Sequence, residues 1–335
     1  MKKKKLLASI SLDLDDQWSY MKVHGDEGWE KFPSYLDVFI PLVLDVLDKL
    51  EIKITFFVVG QDAAIEKNHA ILRSIIERGH EVGNHSFHHE SWLKTYSKEK
   101  IEEEIIRAED AILTATGKRT NMFRGPGFSW SYDLLQVLKK RNYIFDASIL
   151  PTYISPLMRQ YYFWKSKLSK QEKESRKELF GSFKEGFYPL KPYNWNFENK
   201  STLQEIPVTT MPLFKIPFHQ SYLLYISGVS TRLMKLYLRF AISLCKLTKT
   251  QPSYLLHPLD LIGKDHVPSL AFFPGMNIKS EQKLKIFEIA IQTLKQHFEL
   301  LPMSEFSKRL PLDLPSISLK RIIPENYKLA FADSK

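Results

Sequence analysis

The chain predicts an α/β fold built on a parallel sheet with helical crossovers, and three observations carry that prediction. Short apolar, β-branched or aromatic runs alternate with segments of helical period through the first 150 residues, which is the rhythm of successive βαβ units. The helical segments begin at polar caps and stop at glycines, so each unit is punctuated. At 335 residues, with 44% hydrophobic and 13% aromatic content, the chain can bury a sizeable core.

Residues 6–14 (LLASISLDL) read as the first strand. The four lysines before it imitate a signal peptide, but Asp13 breaks the apolar run and only Ala8 and Ser9 offer a small-residue cleavage site. Residues 35–50 predict a helix with Pro41 near its beginning, and 53–60 (KITFFVVG) a buried strand closed by Gly60. A helix over 68–79 ends at Gly79, and 80–85 form a short strand. The spacing predicts a helix over 97–117, with Ser97 as N-cap, Ile101, Ile105, Ala108 and Ile112 on one face and Gly117 past its end. Strand ends at 121–126 and 143–149 flank a helix at 131–142.

After Pro151 the rhythm stops. Residues 155–200 are expected as an inserted excursion or lid. Its aromatics, Tyr161, Tyr162, Phe163, Trp164, Tyr188, Tyr193 and Trp195, suit stacking on rings or a membrane interface, and a solvated helical surface competes with that reading. A strand at 203–209, an amphipathic stretch at 222–247, a strand at 252–260, a helix at 280–298 and a last strand at 299–306 follow. Residues 1–310 are expected as a single domain and 311–335 as a C-terminal tail.

A formal charge of +10 and a pI near 9.3 suggest attraction to an anionic partner such as nucleic acid, a phosphorylated carrier or a membrane surface. The single cysteine, Cys245, excludes an internal disulfide. No window reaches the ~18 uninterrupted apolar residues of a spanning helix. The nearest, 222–247, carries Arg232, Lys235, Arg239 and Lys246, so it reads as a basic amphipathic helix that packs on the sheet or lies against a membrane.

Residues able to do chemistry fall where strands end. In 9–18 (SISLDLDDQW), side chains two apart share a face, so Asp13 and Asp15 point one way and Asp16 the other. The carboxyl end of a parallel strand is the usual place for an α/β site, although solvated aspartates would look the same. In 79–92 (GHEVGNHSFHHESW), His85 and His89 stand four apart, a spacing that suits a divalent metal, while His80 and His88 are expected at the surface. FRGPGFSW (123–130) sets Arg124 before a Gly-Pro-Gly turn that can aim amides at an anion. FDAS (145–148) and LLHP (255–258) end later strands with Asp146 and His257.

Taken in order, Asp-x-Asp, TFFVVG, HSFHH, RGPG, DAS and LLHP resemble the motifs of the polysaccharide deacetylases of the NodB-homology type, carbohydrate esterase family 4, over roughly residues 9–260. GHEVGNHSFHH is the most specific piece, close to that family's metal-binding motif. The resemblance implies a deformed (β/α) barrel of seven strands, with His85, His89 and one first-strand aspartate as metal ligands. Where the family has Thr-Phe-Asp-Asp-Gly, this chain has SLDLDDQW, so two registers are open. Either Asp15 is base and Asp16 ligand, or Asp13 is base and Asp15 ligand; the strand's period of two favours the second. Gly127 stands where the family usually has an aromatic, and Gly127, Phe128 and Trp18 are expected around the oxyanion and the substrate.

The chemistry that the resemblance implies is hydrolysis of an N-acetyl or related acyl group from an amino sugar, releasing acetate. A divalent metal, Zn2+ ahead of Co2+, Ni2+ or Fe2+, would sit on Asp15, His85 and His89. Asp13 would act as base and His257 as acid, with Arg124 orienting Asp13 and Asp146 orienting His257 or tuning its pKa. The expected substrate is a polysaccharide or a lipid- or nucleotide-linked glycan precursor, and no nucleic acid is expected as partner. The expected location is cytoplasmic, peripheral at the inner face of the membrane through 222–247. A metal-independent cyclic amide hydrolase on the same barrel, or a carbohydrate-binding barrel without turnover, are the rival readings.

Overall fold

The computed structural model describes residues 5–157, 160, 164, 166, 168, 170–175 and 183–319. Tyr161, Tyr162 and Phe163 of the expected excursion lie outside the described residues, as does 320–335 of the expected tail. The strands are β1 (Leu6–Leu14), β2 (Thr55–Val58), β3 (Glu81–Asn84), β4 (Met122–Phe123), β5 (Phe145–Asp146), β6 (Tyr193–Asn196), β7 (Thr202–Glu205), β8 (Ser253–Leu256), β9 (Phe298–Leu301) and β10 (Ser316–Ser318). They form one sheet in the order β10-β6-β7-β5-β4-β3-β2-β1-β8, with β9 beside the start of β1. Every strand pairing is parallel except β6 with β7. Helices α1 (Gln17–His24), α2 (Leu36–Lys49), α3 (Gly60–Ala63), α4 (His69–Glu77), α5 (Lys98–Thr116) and α6 (Tyr132–Lys140) fall between the first five strands, as crossovers require.

The run from β7 to β8 closes on itself. Past β7 the chain continues until Thr209 N donates to Ser253 O at 3.0 Å, while Thr209 Oγ1 accepts from Ser253 N at 2.8 Å. These bonds join the ends of β7-β5-β4-β3-β2-β1-β8, a ring of strands whose ladder is interrupted at that seam. In β1 the period of two sorts the side chains: Ala8, Ile10, Leu12 and Leu14 pack outward with Phe56 and Val58 against the helices. Leu7 faces inward, where Phe57, Met122, Phe145 and Ile206 fill the ring and Met303 and Phe306, from the helix Met303–Lys308, plug it. A Cβ at Gly83 would stand 2.5 Å from Phe57 Cδ1, so the bare glycine is what lets that ring cross the interior. Above this apolar plug the inward positions of β1 turn polar, as Ser9, Ser11 and then Asp13.

Four local expectations change. Tyr193 and Trp195 are fully buried core, not exposed stacking platforms, because they alternate along β6, a strand hidden inside the excursion. Trp195 stacks on Trp130 at 5.3 Å and its Nε1 donates to Glu205 Oε2 at 2.9 Å. The stretch 222–247 is two helices, Gln220–Val229 and Thr231–Leu247, parted at Ser230, whose extended backbone (φ −162) lets its hydroxyl accept from Leu233 N at 3.3 Å. The last strand stops at Leu301 because Pro302 caps the plug helix. Finally, β10 falls in the stretch expected as a tail and pairs with β6. No helix of the described residues is long and apolar enough to cross a membrane.

Candidate active site

Asp15 follows β1 at its carboxyl end, where HSFHH also arrives from β3. Asp15 Oδ1 lies 3.0 Å from His89 Nε2 and 3.3 Å from His85 Nε2, and one ligand atom from each residue falls within 4.8 Å of the others. His85 Nδ1 sits 2.7 Å from the Arg124 carbonyl. A carbonyl only accepts, so Nδ1 carries the proton and Nε2 turns its lone pair toward Asp15. The backbone that delivers His89 is left-handed there (φ 53) and at Ser86 (φ 59), and Asn84 Oδ1 accepts from Ser86 N at 2.8 Å to hold the turn. From behind, Glu104 of α5 staples the loop: its Oε2 accepts from Phe87 N at 3.1 Å and His88 N at 2.9 Å, and its Oε1 pairs with His88 Nδ1.

Burial opposes the charge on Asp15, but His89 and His85 hold its carboxyl well below the usual range. An ionised oxygen and two imidazole nitrogens converging at this range form the donor set of a divalent transition metal, and the residues fit such an ion. Asp16 turns away from them. Its Oδ1 caps α1 by accepting from Gln17 N at 2.7 Å and also accepts from Tyr35 N at 3.0 Å. Burial pushes Asp16 up to about 6 and Asp62 well above the ordinary carboxylate, the Asp16 charge adding to the latter. Of the two registers open in the sequence, the geometry groups Asp15 with the histidines.

Asp13 is gripped by Arg124, whose Nη1 donates to Asp13 Oδ1 at 2.7 Å and to Ser11 Oγ at 2.8 Å while Nε donates to Ala147 O at 3.0 Å. The other Asp13 oxygen, Oδ2, lies 4.0 Å from His257 Nε2 at the end of β8. His257 Nδ1 stands 3.7 Å from Asp260 Oδ2, which also accepts from His257 N at 2.9 Å. Burial works against a charge on His257, but Asp260, then Asp13 and Asp15, outweigh it and raise the imidazole to about 9. Beside it His219 is buried with its ring 6.3 Å away; burial and the His257 charge lower it to about 4.

The role expected of Asp146 needs correction: the carboxylate at His257 is Asp260. Asp146 Oδ1 accepts from Ala147 N at 2.9 Å and Ser148 Oγ at 2.6 Å, and its carboxyl neighbours that of Glu205; burial raises Asp146 to about 6 and Glu205 well above its ordinary value. It supports the Arg124 turn indirectly, since Ser148 Oγ accepts from Gly125 N at 2.8 Å. Gly127 adopts φ 58, and a Cβ there would stand 3.0 Å from Ser91 Cβ, so a side chain at this position would be strained and crowded. Phe128 packs on Leu150, Val208 and Leu255. Trp18 is a buried wall: its Nε1 donates to Asp62 Oδ1 at 2.7 Å, and its ring meets the edge of His89 at 6.5 Å. A cleft of about 740 Å³ opens beyond it, lined by Lys22, Trp29, Phe32, Gln61 and Trp92 among others.

His80 is not the surface residue expected, whereas His88 is half-exposed with its ring held by Glu104. His80 is buried and its Nδ1 accepts from Ile54 N at 3.2 Å, burial lowering it to about 4. Sequence reasoning passed over Asp260, Glu104, Glu205 and Asp62. Three left a signal: Asp260 follows His257 by one turn, Glu104 interrupts the apolar face of α5 beside Ile101 and Ile105, and Glu205 shares a face of β7 with Leu203.

A barrel of parallel strands that brings together at one end a carboxylate and two histidines able to hold a metal, a carboxylate gripped by arginine and an imidazole has the makings of a hydrolase-type site. The chain resembles the polysaccharide deacetylases, whose family model matches residues 20–145. That span holds His85, His89 and Arg124, and the fold brings Asp13, Asp15 and His257 to them from outside it. The chain is 33% identical over 111 residues to the peptidoglycan-N-acetylmuramic acid deacetylase of Bacillus subtilis, covering 33% of this chain and 41% of that protein. It is 34% identical over 99 residues to the chitooligosaccharide deacetylase of Sinorhizobium fredii, covering 29% and 45%. With the peptidoglycan deacetylase of Helicobacter pylori it shares 25% identity over 160 residues, 46% and 53% of the two. The chain thus spans about half the length of the curated relatives it matches. The fold is shared with a crystal structure from Mycobacterium smegmatis, provisionally described as a polysaccharide deacetylase, at TM-score 0.56 and 16% identity over 92% of this chain and 91% of that one.

Proposed function

We propose that this chain is a metal-dependent N-deacetylase that hydrolyses the acetamide of an amino sugar in a glycan or glycan precursor and releases acetate. The observation that carries this reading is the meeting of Asp15, His85 and His89 within 4.8 Å, next to Asp13 held by Arg124 and facing His257. The names of its relatives support the substrate class, peptidoglycan and chitooligosaccharide being N-acetylated glycans.

Asp15, His85 and His89 would hold the ion, and zinc suits an oxygen and two nitrogens best. When bound it supplies a Lewis acid for the acyl oxygen and for water. Asp13 takes a proton from the attacking water through Oδ2, since Arg124 already occupies Oδ1. Water oxygen bonds to the acyl carbon, and the Gly127 N–H would stabilise the oxygen on which charge gathers. As the C–N bond breaks, His257 Nε2 gives its proton to the departing nitrogen, leaving acetate and a free amine. Asp260 holds the imidazole in its protonated form until then.

The test is metal content together with acetate release. A preparation with about one divalent ion per chain should release acetate from a panel of N-acetylated oligosaccharides, and His85→Ala should lose ion and activity together. Full acetate release from metal-free protein would overturn the reading.

A further inference from the structure

We propose that the helix Thr231–Leu247 and the loop before it form a docking surface for an anionic lipid membrane. The helix is amphipathic twice over. Met234, Leu238, Ala241, Ile242 and Cys245 bury one face in the core. On the opposite side Leu233, Leu236, Phe240 and Leu247 follow one another at helical spacing and are 50%, 62%, 49% and 76% exposed. A packed surface helix has no use for this second apolar ridge, and an exposed contiguous ridge marks an interaction site.

The residue preceding each member of the ridge is a cation: Arg232, Lys235, Arg239 and Lys246, all exposed. One residue is about 100° of helix, so the cations form a stripe along one flank of the ridge. Residues 206 to 259 contain no Asp or Glu. Among the described residues none of these four cations pairs with a carboxylate. The ridge is extended by the preceding loop. Phe214 lies beside Phe240 with ring centroids 6.2 Å apart and planes tilted by 42°, and Leu213, at 72% exposure, stands next to it. That loop is a tight reverse turn, closed by Met211 N donating to Ile216 O at 2.8 Å and Lys215 N to Met211 O at 2.7 Å. Lys215 folds back to donate to Gly186 O and Tyr188 O at 2.5 and 2.6 Å, which leaves Leu213 and Phe214 as the protruding pair.

An apolar ridge flanked by unneutralised cations, with an aromatic at its centre, is what an interfacial helix presents to the headgroup and acyl boundary of an anionic bilayer. A second copy of this chain fits less well, because a two-fold contact through this face would bring together two surfaces that both carry unneutralised cations, with no acid between residues 206 and 259 to offset them.

The test is co-sedimentation of the full chain with vesicles, phosphatidylcholine alone against phosphatidylcholine with about one third phosphatidylglycerol, whose negative surface attracts a cationic face. Binding is expected to the anionic vesicles only and to weaken as salt is raised. The variant Leu236→Glu with Phe240→Glu, and separately Arg232→Glu with Lys235→Glu and Arg239→Glu, should each lower partitioning by about ten-fold or more. All five positions are exposed, so the melting temperature should hold, and acetate release from a soluble substrate should be unchanged. Equal pelleting of wild type and both variants, or no pelleting of wild type at low salt, overturns the proposal. So does a wild-type dimer in light scattering that both variants convert to monomer. Vesicle binding involves no hydrolysis, so it can fail while the deacetylase reading stands, or hold while that reading falls.

Discussion

At the site three carboxylates lie within four residues of one another and meet three different fates. Asp13 faces Arg124, Asp15 faces two imidazoles and Asp16 caps a helix over a buried acid. Asp13→Asn should therefore keep the bound metal but cut turnover by ~100-fold or more, the usual scale for loss of a base. Asp16→Asn should keep both, since asparagine also caps a helix. His257 gives a second prediction. Its pKa is raised from 6.5 to about 9, so the protonated form is favoured by the fold. The stability this contributes is fully present below pH 6.5 and is lost as pH rises through about 9. Competence as an acid falls over the same window. Asp260→Asn retains the acceptor for His257 N but removes the leading favourable charge, so the alkaline limb of the kcat profile should move to lower pH. An unmoved limb would show that Asp260 does not set it.

At the scale of elements, the loop carrying HSFHH depends on a residue from another helix. Glu104→Ala would leave two backbone amides and the His88 ring without their acceptor, at about 1–3 kcal/mol. The same loosening of the loop should lower metal affinity by roughly 10–100-fold, readable by competition with a chelating dye. Trp195 of β6 makes a stability prediction: Trp195→Ala should cost about 3–5 kcal/mol in denaturant unfolding, as loss of a fully buried ring leaves a cavity and strips Glu205 Oε2 of the indole donor. Elements with a repeating pattern were legible beforehand. β1 matches residues 6–14, and α5 fills the space between Ser97 and Gly117 because the caps are chemically explicit. β6 was hidden because Tyr193 and Trp195 sit in a run crowded with Lys and Glu, and only pairing with β7 and β10 reveals a strand there. Ser230 hid in the same manner, the break between two helices being one residue of extended backbone inside a continuous apolar period.

Across the whole molecule, the order of motifs along the chain foretold which strand ends meet, since parallel strands with short crossovers must deliver their carboxyl ends to one side. It did not foretell which carboxylate serves His257. Asp146 ends β5 whereas Asp260 lies beyond the end of β8, and the choice rests on the tight turn through Pro258 that swings Asp260 back over the imidazole. Nor did it foretell the seam between Thr209 and Ser253, which depends on the stagger of the ring. A metal that binds only the folded barrel stabilises the whole by mass action, about 2.7 kcal/mol at a hundred times its Kd. Added zinc should therefore raise the melting temperature of the wild type by several degrees and leave that of Asp15→Asn unchanged.

The most direct test of the account is metal content per chain, measured by elemental analysis on Asp13→Asn, Asp15→Asn and Asp16→Asn alongside acetate release. The account predicts about one ion per chain in the first and third variants and loss of the ion in the second, with activity lost in the first and second only. Retention of the ion by Asp15→Asn with its loss from Asp16→Asn would contradict it.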